Sequence, residues 1–121
     1  MLIVAKEKTD AGGGKGASGS ANSSDLPTTV AAIDKVIHEP ARMMIVSYLS
    51  VVESADFLFV QSHTGLTAGN LSSHLSKLET AGYVDIQKSF VGKKQHTKLK
   101  LTASGREAFE GYRRKMKELL A

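Results

Sequence analysis

At Gly82 the hydrophobic period of the chain changes abruptly, and that switch limits the fold more than any other feature. Before it, Leu71, Leu75 and Leu78 recur at i, i+4 and i+7. After it, Val84 and Ile86 alternate with Asp85 and Gln87, and later Leu99 and Leu101 alternate with Lys98 and Lys100. A helical period buries one stripe of a rod, whereas a period of two buries one face of a strand. Glycine accepts the left-handed backbone that ends many helices. A helix is therefore expected to stop at Gly82 and a strand to follow it. Gly92 lies between the two alternating runs, within Phe90-Val91-Gly92-Lys93-Lys94-Gln95, and predicts an antiparallel hairpin with a long, basic tip. A lone hairpin of this size is marginal in water, so it has to pack on a helix.

Upstream, the pattern supplies that helix and its neighbours. Residues 11–24 read AGGGKGASGSANSS, too poor in apolar area to offset the entropy of ordering. A flexible tail is expected over 1–26, with one folded domain over 27–121. Thr28 or Thr29 can cap a first helix carrying Val30, Ile33, Val36 and Ile37, which His38-Glu39-Pro40 interrupts. After Pro40, the apolar residues Ala41, Met44, Ile45, Tyr48, Leu49 and Val52 make one broad helical face, assigned to the core. Asp56 can cap a short helix that ends at Thr64-Gly65, with Leu66 as a buried turn residue. Thr67 then caps the leucine-bearing helix. Two helices joined by a tight glycine-containing turn, over about 56–82, form a helix-turn-helix. The hairpin occupies 83–101, and Thr102 caps a last helix, 102–120, with Phe109, Tyr112, Met116, Leu119 and Leu120 along a narrow seam. Such a seam either packs on its own domain or pairs with a second subunit. The fold class that results is mainly α with a small β-hairpin (α+β): a winged helix-turn-helix with an added C-terminal helix.

Charge points to the partner. The formal net charge is +4, yet Lys88, Lys93, Lys94, Lys98 and Lys100 fall between Ile86 and Leu101 with no acid among them. The remainder is close to neutral, and one basic projection on a neutral body suits a polyanion. The chain has no cysteine, which excludes disulfides, thiolate nucleophiles and cysteine-based zinc sites. His38, His63, His74 and His96 fall on different elements without ligand spacing, so no metal and no cofactor is expected. Gly12-Gly13-Gly14-Lys15-Gly16 precedes no helix and lacks phosphate-loop spacing. No nucleophile and base are paired, so the chain is not read as an enzyme. Met1 to Ala5 are apolar but stop at Lys6, and nothing later approaches the roughly 20 apolar residues of a membrane span. No membrane partner and a cytoplasmic location are expected.

The local sequences IHEPARMMIVSYL (37–49), GLTAGNLSSHLSKLETAGYV (65–84), FVGKK (90–94) and LTASGREAF (101–109) resemble the small MarR/ArsR-like winged-helix regulators of prokaryotes, over roughly Val30 to Leu120. The resemblance implies a transcriptional regulator that binds double-stranded DNA as a homodimer, with no effector specified. Two departures from it stand out. The family often carries an arginine where this chain has Ser73, and polar residues where it has Leu58 and Phe59.

In a helix-turn-helix the second helix enters the major groove N-terminal end first. With its leucines buried, helix 67–81 turns Gly69, Ser73, Ser76 and Thr80 outward, flanked by Asn70, Ser72 and Lys77. Gly69 permits close approach. Asn70 can read adenine bidentately, and the serines can bond to bases or phosphates. Thr67 and His74 complete the helix's DNA-binding set, and Lys77, Lys93 and Lys94 suit the backbone. Val30, Ile33, Ile37, Phe109, Tyr112, Met116, Leu119 and Leu120 form the candidate dimer surface. The alternative function is a winged-helix protein–protein interaction module in a larger assembly, with Leu58 and Phe59 either core or contact surface.

Overall fold

The computed structural model describes residues 32–121. In chain order these form α1 (Pro40–Ser50), β1 (Ala55–Asp56), α2 (Phe57–Thr64), α3 (Ala68–Thr80), β2 (Val84–Val91), β3 (Lys94–Leu101) and α4 (Ala103–Leu120). Among the described residues, four helices surround one antiparallel sheet of order β1-β3-β2. This is the α+β winged helix expected from the period switch. The tail over 1–26, the proposed cap at Thr28 or Thr29 and Val30 lie outside the described residues.

Local chemistry sets the boundaries. Glu39 is extended (φ −152°, ψ 131°), and its carboxylate accepts from the Arg42 amide at 2.7 Å, while Pro40 opens α1. Thr67 accepts from the Asn70 amide at 3.1 Å and Thr102 from the Gly105 amide at 2.9 Å. Each satisfies an amide that has no partner within its own helix. Gly65 (φ 74°) ends α2 and Gly82 (φ 84°) follows α3, both in the left-handed region. Leu71 and Leu78 are fully buried and Leu75 nearly so, meeting Ile45, Leu49, Val84, Leu99 and Leu101 in one core.

The residues 101–106 lock the last helix to the rest. Thr102 donates to the Gly82 carbonyl at 2.6 Å, and its amide donates to the Tyr83 carbonyl at 3.0 Å. The Arg106 guanidinium donates to the Ser50 and Val52 carbonyls, each at 3.1 Å. It thereby closes the C-terminal end of α1, where helical carbonyls lack partners.

Five expectations are corrected. The helix expected through Ile37 does not extend over 33–37: of its described residues only Ala32 is in a 3-10 turn, and residues 35–37 form turns. The Asp34 carboxylate accepts from the Val36 and Ile37 amides at 2.9 and 3.2 Å, and such local bonding competes with helix. In α1 the buried face is Ala41, Ile45, Val46 and Leu49. Met44 is exposed and Tyr48 half-buried, because their edge of the helix borders an open groove against α4. Leu66 is half-buried rather than buried. The hairpin tip is short: Val91 pairs with Lys94, leaving Gly92-Lys93 as a two-residue turn with Gly92 at φ 66°. A positive φ at that position is what tight hairpin turns require. Finally, β1 adds a third strand, with Ala55 opposite Leu99 and Asp56 opposite Lys98; two residues are too few to carry a detectable period.

Candidate nucleic-acid interface

The leucines of α3 point into the core, so the other side of the helix is turned to solvent. Thr67, Gly69, Asn70, Ser72, Ser73, Ser76 and Lys77 are all exposed. A Cβ built on Gly69 meets nothing within 4 Å, so the protein's own packing does not require glycine there. The surface is made of short side chains, which lose little rotamer freedom on contact and let another molecule approach the helix closely.

His74 sits differently from the rest of the set. It is half-buried, with Nδ1 at 3.1 Å from Arg42 Nη1 and 3.7 Å from Glu39 Oε1. A guanidinium only donates, so Nδ1 accepts and the ring proton lies on Nε2. Arg42 Nε in turn donates to the Val36 carbonyl at 2.6 Å. Sequence reading missed Arg42 because its contact with His74 joins residues far apart in the chain, which no local pattern reports.

The hairpin stands beside α3. Ser72 and Ser76 of α3 share a groove with Lys88 of β2 and with Gln95 and Thr97 of β3. Lys93 lies in the turn and Lys94 opens β3, both exposed. The basic character is graded along the wing. At its base Lys100 lies opposite Asp85 and Lys98 opposite Asp56, and directly paired residues present their side chains together. Lys88, Lys93 and Lys94, nearer the tip, have no acid opposite them in the register. On the other flank of α3, Lys35, Arg42 and Lys77 line a second groove with Ser73, Ser76 and Thr80. Lys35 is a further residue that the sequence did not single out.

The residues named for a dimer surface are divided. Ile37, Phe109 and Tyr112 are buried in the protein's own core, Ile33 and Met116 pack partly against it, and Leu119 and Leu120 are exposed. Val30 is outside the described residues. Leu58 (74% exposed) and Phe59 (48%) are surface rather than core, and Phe59 stacks on His63 with ring centroids 4.0 Å apart. The histidines are scattered: His38 Nδ1 is 2.8 Å from the Tyr112 hydroxyl, and His96 lies on β3. Among the described residues no group of three potential ligands could hold a metal ion, and no helix is long and apolar enough to cross a membrane. Two tyrosines are held protonated. Burial and then the 2.6 Å bond to Asp34 push the Tyr83 hydroxyl well above the usual tyrosine range. Burial, then the Asp34 charge, raises Tyr112.

A leucine-anchored helix with an open polar side, set beside a lysine-tipped hairpin, defines a nucleic-acid-binding winged helix. The chain belongs to the family of winged helix DNA-binding domains, whose model matches residues 41–120. It is 36% identical over 78 residues to an uncharacterized protein of Methanocaldococcus jannaschii, covering 64% of this chain and 85% of that one. Among solved structures it is similar to a transcriptional regulator homologue from Pyrococcus horikoshii OT3, at 28% identity and a TM-score of 0.66, over 70% of this chain and 84% of that one. The YusO protein of Bacillus subtilis shares the fold, at 17% identity and a TM-score of 0.62, over 81% and 69% of the two chains.

Proposed function

We propose that the protein is a transcriptional regulator that binds double-stranded DNA, with α3 in the major groove and the wing along the backbone. The observation that carries this reading is the open polar side of α3: seven of its candidate contact residues are exposed while its three leucines are buried. Asn70 and the serines, nearest the N-terminal half, would meet base edges or phosphates, with Gly69 allowing the approach. His74 would donate from Nε2, and Thr67 holds the helix start in register. Lys77, Lys93 and Lys94 would contact phosphates, which contribute affinity and salt dependence without sequence information. The protein is read as a binding protein, not a catalyst, acting in the cytoplasm where DNA is accessible. The family match and the likeness to the Pyrococcus regulator homologue support the regulatory role.

One helix-turn-helix offers limited contact area, and dimers reading half-sites about 34–36 Å apart are the usual solution. The exposed part of the proposed dimer surface is redrawn around Leu119, Leu120 and Met44 with Met116, over the buried Phe109 and Tyr112. The exposure of Leu58 and Phe59 favours one second reading, a protein-interaction module that uses α2. Selection of bound sequences from a random duplex pool, followed by titration of the winner and a scrambled duplex, separates the two. A regulator enriches one motif and binds it at least about 1,000-fold tighter than the scramble. No enrichment and no duplex affinity at low salt would sink the DNA reading.

A further inference from the structure

The two grooves that border α3 differ in charge. On the wing side the lining holds one charge of each sign, Lys88 and Glu79, with Ser72, Ser76, Gln95 and Thr97. On the far side the lining holds Lys35, Arg42 and Lys77 with the hydroxyls of Ser73, Ser76 and Thr80, and among the described residues no carboxylate. The acids adjacent in the chain have other partners. Asp34 accepts from two backbone amides and from the Tyr83 hydroxyl, and Glu39 accepts from the Arg42 amide at 2.7 Å. The Arg42 guanidinium is fixed in place by the Val36 carbonyl and His74, yet these use only two of its five N–H donors. A cation already held in position loses little freedom when an anion arrives.

We propose that this groove is a second phosphate-binding site, which takes the DNA strand on the opposite side of the major groove from the strand that the wing follows. The proposal rests on the reading of α3 as the groove-entering helix. A major groove is about 12 Å wide and is walled by one sugar-phosphate strand on each side, so a helix seated in it meets both. Cations on the wing flank alone would grip one wall. Lys35 and Lys77 supply point charges, Arg42 a planar fork suited to a phosphate, and the hydroxyls neutral donors. A free phosphate offers the same chemistry, and the test has to distinguish the two sources.

The test uses the full chain and the duplex recovered by selection, with affinity measured by anisotropy at several salt concentrations. Each lysine that neutralises a phosphate contributes about one unit to the slope of log affinity against log salt. Lys35→Ala is expected to lower that slope by about one, and Lys35→Ala with Lys77→Ala by about two, with the ratio between selected and scrambled duplex unchanged. Lys93→Ala serves as the wing control, with its own drop of about one. Both lysines are exposed, and unchanged thermal melts show that the variants fold. If Lys35→Ala leaves the slope at the wild-type value while Lys93→Ala lowers it, the second site is wrong and the DNA reading stands. If wild-type protein binds no duplex at low salt, the DNA reading itself falls, and the site with it. Saturable binding of inorganic phosphate at micromolar concentration that Lys35→Ala abolishes, with duplex affinity unaffected, would assign the groove to a free anion instead and overturn the proposal.

Discussion

Helices α3 and α4 begin alike and end very differently. Each is entered through a threonine whose hydroxyl accepts from the amide three residues on, and each is amphipathic. Over its 13 residues α3 buries Leu71, Leu75 and Leu78, from its first turn to its last. The 18 residues of α4 bury only Gly105, Phe109 and Tyr112, all in its first ten positions. Outward, α3 presents glycine, asparagine and serines, with its only charged residues, Lys77 and Glu79, in the last turn, whereas α4 presents Arg106, Glu107, Glu110, Arg113, Arg114, Lys117 and Glu118. Long charged side chains of both signs keep a helix face hydrated, while short neutral ones leave the backbone approachable. The difference separates a helix braced along its whole length, with a surface that another molecule can reach, from one whose second half leaves Leu119 and Leu120 uncovered.

The contrast breaks most directly at the leucines. Leu75→Ala removes a side chain that is 2% exposed, and a cavity of this kind costs about 2–5 kcal/mol. Denaturant melts should show the full loss. Leu120→Ala, at a position 78% exposed, should change monomer stability by no more than about 0.5 kcal/mol. If the proposed dimer surface is right, its effect is expected instead in sedimentation velocity, as a shift toward monomer, since an exposed leucine has little work in a single chain. Equal destabilisation by both substitutions would mean that the two helices are braced alike.

The joint between the helices gives the next effects. Gly105 packs so closely that a Cβ there would collide with the Tyr83 carbonyl oxygen. Gly105→Ala is therefore expected to cost about 1–3 kcal/mol as overpacking, although alanine favours helix by nearly 1 kcal/mol over glycine. Tyr83 itself donates to Asp34 at 2.6 Å, and Tyr83→Phe should cost about 1 kcal/mol near neutral pH. The sign with pH follows from its raised value. The folded chain keeps the phenolic proton after the unfolded chain has released it. The contribution is thus whole below the ordinary tyrosine value of about 10 and is lost as pH rises beyond it. Chemical denaturation at alkaline pH should show a shallower decline for Tyr83→Phe than for wild type. Parallel declines would remove Tyr83 from the account.

What the sequence disclosed was local. The leucine repeat, the threonines at both caps, Gly65 and Gly82 each act within a few residues, and each of these signals was read at the right position. The winged helix followed from their order. The errors share another cause: an apolar pattern tells which side chains avoid water but not what covers them. Phe109 and Tyr112 fall on a narrow seam that suits a partner as well as a core, and Ile37 on the helix expected to join it, yet all three are buried in the protein's own core. Met44 and Val46 exchanged places because either edge of a wide apolar arc can face the core. Asp34 took the amides that a helix would have used, a competition that propensity does not weigh. Of the candidate interface, the side of α3 was legible because burial of one face exposes the other. Lys35 and Arg42 were not, because their position beside Ser73 and Lys77 exists only once the chain has folded.

The smallest expected effect is also the sharpest probe of what α3 is for. Gly69 lies in the first turn of α3 and Gly111 in the middle of α4, and each leaves room for a methyl group. The first meets nothing within 4 Å, and the second meets only Arg114 Nη2 at 3.8 Å. Alanine in place of either should therefore stabilise the fold by about 0.5–1 kcal/mol, chiefly by restricting the unfolded chain. On stability alone the two variants should be indistinguishable. They should part on DNA. A methyl group at Gly69 stands where the helix would approach the bases, and duplex affinity should fall, with the discrimination against scrambled sequence falling alongside. A methyl group at Gly111 is on the helix that stays outside the groove, and affinity should hold. A stabilised Gly69→Ala that binds DNA as tightly as wild type would mean that the first turn of α3 keeps its distance from the groove floor. The contacts would then have to be sought further along, at Ser73, Ser76 and Lys77.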